Sequence, residues 1–326
     1  MNNRKKVNNK IKQKIIGLIN NKLIKNIAIT FHYAPDGDAI GSAVALALAL
    51  ESSLNKSVDI ITRSYSSIFT PIIQNVSIVK HVKKKYDLCI LLDCSSRERT
   101  INLDEVSKLL VVIDHHVNNT PIGNYYWCEN KAATAMLVFD LLKRMRICLT
   151  EEIATALYLG LYTDTSGFTN SNMLPSVHYQ ASVLLSQGAN LNIINQICKE
   201  KKLSTFKLLS DIFNKIIYDV QYKIVYLVLM KEDLDKYHVT YDITEYLMEE
   251  LKFIQEAELA FLFIESNNNT KIKARSKGNF RVDTIMSYFN GNGFPFAAGA
   301  VISSTNIYMI AMNVIARAKQ YLDSIK

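Results

Sequence analysis

Cysteine is scarce in this chain of 326 residues, and the five present (Cys89, Cys94, Cys128, Cys148, Cys198) form no CxxC pair. An odd, scattered set does not suit a disulfide framework or a zinc knuckle, and it fits a reducing cytoplasm. Long apolar runs are also missing. The longest, Ala43 to Leu50, falls far short of the roughly 20 residues of a membrane-spanning helix, so no span and no membrane partner are expected. Acid is absent from the first 25 residues, which carry Arg4, Lys5, Lys6, Lys10, Lys12, Lys14, Lys22 and Lys25. The formal net charge of +8 therefore resides in this leader, and the rest of the chain holds 30 basic and 30 acidic residues. Such a segment reads as a solvated extension, partly disordered or helical, with a nonspecific grip on phosphate backbones as the alternative. It is not a secretory signal, because the apolar run Ile15 to Ile19 is too short and no small-residue cleavage site follows.

With 49% apolar residues the chain can bury ample core, and its length favours two domains. Short β-branched runs at Ile27 to Phe31, Val58 to Thr62, Leu88 to Asp93 and Leu109 to Asp114 predict strands. Their nearly unbroken apolar character belongs to a mainly parallel sheet covered on both faces. Helical patterns span Asp38 to Leu54, Ala133 to Met145, Glu151 to Tyr162 and Ser176 to Gln187, which makes the first domain α/β. The charged break Lys199-Glu-Lys-Lys202 marks a linker, placed at 199–204 between a domain at 26–198 and a smaller α+β domain at 205–326. The second domain shows helices at Leu203 to Ile216, Thr244 to Phe253, Val282 to Phe289 and Ile307 to Leu322. Its strands are Ile224 to Met230, Leu259 to Glu265 and Lys271 to Arg275.

Three of the four first-domain strands run into residues able to bind metal, where open parallel sheets place their crevices. His32, Asp36 and Asp38 follow the first, Asp93 ends another, and Asp114-His115-His116 ends a third. A fourth group, Tyr162-Thr-Asp164-Thr-Ser-Gly167, closes a helix. Singly, each has a plain structural use: Pro-Asp-Gly is a turn and Asp38 a helix cap. Their arrival at one edge of one sheet is harder to dismiss. A calcium EF-hand is excluded, since the twelfth position counted from Asp36 is Ala47 rather than Glu. Structural zinc lacks its cysteines. Mixed carboxylate and imidazole donors suit Mn²⁺, with Mg²⁺ or Fe²⁺ as alternatives.

The series His32/Asp36/Asp38, Asp93, Asp114-His115-His116, Asp164 resembles the four motifs of the DHH phosphoesterases. Lys273-Ala-Arg275-Ser276-Lys277-Gly278, followed by Gly291-Asn-Gly-Phe-Pro-Phe-Ala-Ala-Gly299-Ala300, is similar to the DHHA1 substrate-binding domain. The stand-alone nanoRNase and pAp-phosphatase group has this layout. The resemblance implies two divalent cations, an active site in a cleft between the domains, and Asp93 as the carboxylate bridging the ions. It assigns His32, Asp36 and Asp93 to one ion, and Asp38, Asp93, His115 and Asp164 to the other. Asp114 orients the neighbouring imidazoles, and His116 meets the scissile phosphate. In the second domain Arg275 is expected to hold phosphate, with Ser276, Lys277, Gly291 and Gly293 in support. Where the family carries Gly-Gly-Gly-His, this chain has Gly291-Asn292-Gly293-Phe294, so Phe294 fills the turn or offers a ring for a base.

The expected activity is hydrolysis of short RNA to 5′-mononucleotides, with pAp dephosphorylation beside it. Cleavage of cyclic di-AMP or pApA is the enzymatic rival, and a silent nucleotide-sensing protein the rival from another class. Short RNA or nucleotides are the expected partners, with a homodimer compatible.

Overall fold

A computed structural model describes residues 2–82 (side chains from Asn9), 84–116, 121–170, 173–304 and 306–325. The chain divides into two compact units, Met1–Glu200 and Lys201–Lys326.

The first unit runs α1 (Asn2–Asn20), β1 (Asn26–Thr30), α2 (Gly37–Leu54), β2 (Ser57–Ile61), α3 (Thr70–Ile73), β3 (Ser77–Val79), β4 (Leu88–Leu92), α4 (Leu103–Val106), β5 (Leu110–Asp114), β6 (Tyr125–Cys128), α5 (Thr134–Arg144), α6 (Glu151–Asp164), α7 (Pro175–Ser186) and α8 (Leu191–Cys198). Its strands form one six-stranded sheet in the order β3-β2-β1-β4-β5-β6, and every pairing is parallel. The apolar runs are unbroken because both faces are covered. Ile27, Ile29, Leu88, Ile90, Val111 and Ile113 enter one core, while Ala28, Cys89, Leu91, Leu110 and Val112 enter the core on the other face. Strand order reverses between β1 and β4, so the connections leaving their carboxyl ends diverge and open a crevice. His32 and Asp93 stand there, just past the two strands.

The leader departs from the expected solvated extension. Its helix is amphipathic beyond Asn9: Ile15 and Ile19 are fully buried in the larger core. Lys12 is buried as well, paired with Glu129 and lying 4.7 Å over the Trp127 ring. The charge count hid two isoleucines four residues apart, which place one apolar stripe on an otherwise basic helix. The most apolar helix, α2, is a core element, with 72% of its residues buried.

The second unit comprises α9 (Leu203–Phe213), β7 (Ile217–Asp219), β8 (Ile224–Leu229), α10 (Lys231–Tyr237), α11 (Ile243–Lys252), β9 (Leu259–Ser266), β10 (Asn269–Ser276), α12 (Val282–Ser287), β11 (Asn292–Phe294), β12 (Ala297–Ile302) and α13 (Ile307–Ser324). Its six-stranded sheet, ordered β11-β12-β10-β9-β8-β7, is antiparallel except for the β8–β9 pair. Alternate residues of β9 serve two cores: Leu259, Phe261 and Phe263 pack with residues of α12 and α13, whereas Ala260, Leu262 and Ile264 pack with residues of α9 and α11. The glycine-rich stretch read as a turn is mostly the β11–β12 hairpin, in which Gly293 pairs with Ala298. A Cβ on Gly293 would lie 2.5 Å from the Ala298 Cα, and one on Gly291 would lie 2.4 Å from the Gly299 carbonyl oxygen. These glycines are required by strand contact.

Candidate metal centre

The turn after β1 is built by its own carboxylates. Asp36 is the N-cap of α2, its Oδ1 accepting from the backbone N–H groups of Asp38 and Ala39, each at 3.0 Å. Asp38, in the first turn of the same helix, caps a different one: its oxygens accept from Thr134 N at 2.6 Å and Ala135 N at 2.9 Å, at the start of α5. Ser42 adds its hydroxyl at 3.1 Å. Close packing of α2 on α6 makes this possible. A Cβ on Gly41 would sit 2.3 Å from the Ala156 carbonyl oxygen, and one on Gly160 would sit 2.7 Å from Asp38 Oδ1. Glycine at both positions lets the last residue of α6, Asp164, come beside the first turn of α2.

Asp93 directly follows β4 with φ of 54°, in the left-handed region, a conformation Asp tolerates better than most residues. Only 2% exposed, it receives the Thr134 hydroxyl at 2.9 Å. Three imidazoles surround it: His32 Nε2 at 3.5 Å, His115 Nε2 at 3.5 Å and His116 Nδ1 at 3.6 Å. Asp164 Oδ2 lies 3.3 Å from His115 Nε2. Donor atoms of His32, Asp36 and Asp93 lie within 4.8 Å of one another, as do those of Asp38, His115 and Asp164. Asp93, Asp114, His115 and His116 form a third group of this kind. All six expected ligands, together with Asp114 and His116, thus come together at one edge of the sheet.

The electrostatics are those of a site lacking positive charge. Burial, with the Asp36 charge behind it, pushes Asp38 up to about 7. Burial and the charges of Asp38, Asp36 and Asp114 push Asp164 up to about 9. Asp93 is raised for the same reasons. Burial lowers His32 and His115, which favours the neutral imidazole that ligates metal. His115 Nδ1 lies 3.1 Å from the Lys131 carbonyl oxygen, an acceptor that fixes the proton there and leaves the Nε2 lone pair on the site. That Nε2 is buried without a hydrogen-bond partner, as are His32 Nδ1 and Asp114 Oδ2. Buried polar atoms seldom remain unsatisfied, and orphaned imidazole nitrogens among mutually repelling carboxylates fit divalent cations.

Asp114 and His116 form a pair of another kind. Asp114 Oδ1 accepts from His116 N at 3.0 Å and faces its Nδ1 at 2.8 Å. Burial opposes both charges, yet the hydrogen bond and charge of the partner outweigh it, lowering Asp114 and raising His116. The His116 side chain is 35% exposed, its partner fully buried.

In the second unit Arg275 on β10 lies 3.8 Å from Glu245 and 3.9 Å from Glu249. Ser276 Oγ accepts from the N–H groups of Gly278 and Phe280, and Lys277 donates to the carbonyls of Ile254 and Gln255. Phe294 on β11 is 62% exposed. Reading the sequence missed Thr134 and Lys131, whose contacts with Asp93 and His115 join residues far apart along the chain.

A model described as the DHH family, N-terminal domain, matches residues 26–161, and the DHHA1 domain model matches residues 220–323. The chain belongs to the DHH family of phosphoesterases. Among curated DHH relatives, the bifunctional oligoribonuclease and PAP phosphatase NrnA of Thermus thermophilus is 25% identical over 297 residues, covering 91% of this chain and 90% of that protein. The Mycoplasma genitalium protein of the same name is 25% identical over 295 residues, covering 87% and 90%. An exopolyphosphatase-related protein from Bacteroides fragilis shares the fold, with a TM-score of 0.86 at 24% identity and 95% of each chain covered.

Proposed function

We propose that the protein hydrolyses short oligoribonucleotides to 5′-mononucleotides, and pAp to AMP, using two divalent cations, with Mn²⁺ the preferred ion. The observation that carries this reading is the convergence on Asp93 of two donor groups, His32/Asp36/Asp93 and Asp38/His115/Asp164, in a chain whose relatives named for these activities match it over most of its length. His32, Asp36 and Asp93 would hold one cation, and Asp38, Asp93, His115 and Asp164 the other. Bound there, a cation pair supplies charge that offsets the phosphoryl oxygens and makes water a better nucleophile at neutral pH.

The remaining chemistry belongs to the chain. Asp114 holds His116 through Nδ1 and favours its protonated form, so His116 donates a hydrogen bond to a phosphoryl oxygen of the substrate. Thr134 fixes the Asp93 carboxylate by donating to one oxygen. In the second unit, Arg275 is the candidate for gripping a substrate phosphate with its planar fork, supported by Ser276, Lys277, Gly291 and Gly293, and Phe294 offers a ring to a base. Five free cysteines suit the cytoplasm.

The test is a substrate panel with Mn²⁺: pApA, a five-nucleotide RNA, pAp, cyclic di-AMP and pyrophosphate, with products resolved by chromatography. Mononucleotides should appear from the first two and AMP from pAp. Faster consumption of cyclic di-AMP than of the RNA would replace this reading with that of a cyclic-dinucleotide enzyme. No release from any of them would end it.

A further inference from the structure

We infer that Arg63, Tyr33 and Arg99 form a nucleotide subsite on the first unit beside the metal centre, Tyr33 and Arg63 taking a base and Arg99 a phosphate. This rests on the function proposed above, and it concerns residues to which neither the motifs nor the family resemblance gives a role.

The sheet places the three residues together. β1 lies between β2 and β4, with Thr30 registered against Ile61 on one side and Leu91 on the other. Arg63 follows β2, Tyr33 follows β1 and Arg99 follows β4, so all three stand at the carboxyl edge where the metal-binding residues lie. The Arg63 guanidinium carbon lies 4.8 Å over the Tyr33 ring. That ring is adjacent in sequence to His32 and keeps 39% of its surface exposed. Two hydrogen bonds tie the Arg99 segment to both sides of His32: Tyr33 N donates to the Arg99 carbonyl and the Thr100 hydroxyl donates to the Phe31 carbonyl, each at 2.7 Å. The Arg99 side chain is exposed, and among the described residues its guanidinium has no ion-pair or hydrogen-bond partner. Its charge still acts on His32, Cys94 and His116.

Chemistry identifies the occupant. Five aspartates at the centre repel a polyanion, so a substrate phosphate needs a cation close by, and an unpartnered guanidinium whose field reaches His32 and His116 supplies one. A tyrosine already stacked with an arginine presents a rigid aromatic and cationic platform, suited to any flat base without regard to sequence. A free inorganic phosphate would use Arg99 alone. Dependence on Tyr33 is therefore the signature of a nucleotide.

The experiment compares pApA with an analogue of the same backbone lacking both bases, under Mn²⁺. Tyr33→Ala should lower the selectivity for pApA over the abasic analogue about tenfold, mainly through KM, in line with the usual worth of base stacking. Tyr33→Trp should restore it. Arg99→Ala should reduce kcat/KM on both substrates by about 100-fold, with partial rescue by Arg99→Lys. Thermal melts and Mn²⁺ titration of each variant should match the parent. Calorimetric binding of 5′-AMP tests the same residues without turnover, and Tyr33→Ala and Arg99→Ala should each weaken it. If the parent binds AMP in this manner yet cuts nothing, the subsite stands and the hydrolase reading falls. Unchanged selectivity together with unchanged AMP affinity in both variants overturns the subsite.

Discussion

Asp93 bears the heaviest constraint of any residue in the candidate centre. It adopts a left-handed backbone, is nearly fully buried, and faces three imidazoles and a threonine hydroxyl. Backbone strain gathered at such a point belongs with function more often than with stability. Asn tolerates the left-handed region as well as Asp does, so Asp93→Asn separates the two roles. Activity should fall on the order of a thousandfold in every Mn²⁺-dependent assay, because an amide brings no charge to cations held close together. The melting temperature of the metal-free protein should hold or rise, since a repelling carboxylate is gone. Release of AMP from pApA and a thermal melt check the two halves, and a variant keeping more than about a tenth of parental turnover would remove Asp93 from the bridging position. At this scale the sequence showed which residues bear ligand atoms but not how each oxygen is used. Asp36 and Asp38 each cap a helix as well as facing the centre, and the cap made by Asp38 belongs to a helix that begins at Thr134.

Among the elements, legibility followed burial. β1, β2, β4 and β5 were readable because covering both faces of a parallel strand demands an unbroken apolar run. β3, β6, β7 and β11 are edge strands of three or four residues, too short for any period to register. β12 was hidden by its alanines and glycine, small because a neighbouring strand passes close by. The contact of α2 with α6 was equally invisible, although it decides where Asp38 and Asp164 meet. Gly41→Ala tests that contact. Its Cβ would fall 2.3 Å from a backbone oxygen of α6, which cannot swing aside as a side chain would. The variant should lose about 1–3 kcal/mol of stability by overpacking, read from denaturant unfolding, and its Mn²⁺ affinity should drop as the two aspartates move apart. Unchanged Mn²⁺ affinity despite a stability loss would show that α6 does not set the spacing of the ligands.

For the molecule as a whole, net charge was a poor guide, since the excess sits in a leader whose second half is built into the core. The decisive electrostatics are local and acidic. Asp38 and Asp164 hold their protons up to about 7 and about 9, far above the ordinary aspartate value of 3.8, and Asp93 is raised too. The folded state therefore binds protons more tightly than the unfolded chain across this range. Stability contributed by these groups is present in acid and lost as pH rises from about 4 through the raised values. The raised His116 adds to this loss and the lowered Asp114 acts only in stronger acid. The lowered His32 and His115 gain stability as pH rises through the ordinary histidine range, and the three raised carboxylates outweigh them. A divalent cation reverses the trend, since it binds the ionised carboxylates and only the folded state assembles them. In EDTA the melting temperature should decline steadily between about pH 5 and pH 8.5. Saturating Mn²⁺ should cancel the decline and raise the melting temperature most at the alkaline end, where a thousandfold excess over Kd is worth about 4 kcal/mol. A metal-free melting temperature that stays level or climbs over this range would mean that the carboxylates do not repel one another as their burial requires, and the case for a cation site would lose its electrostatic half.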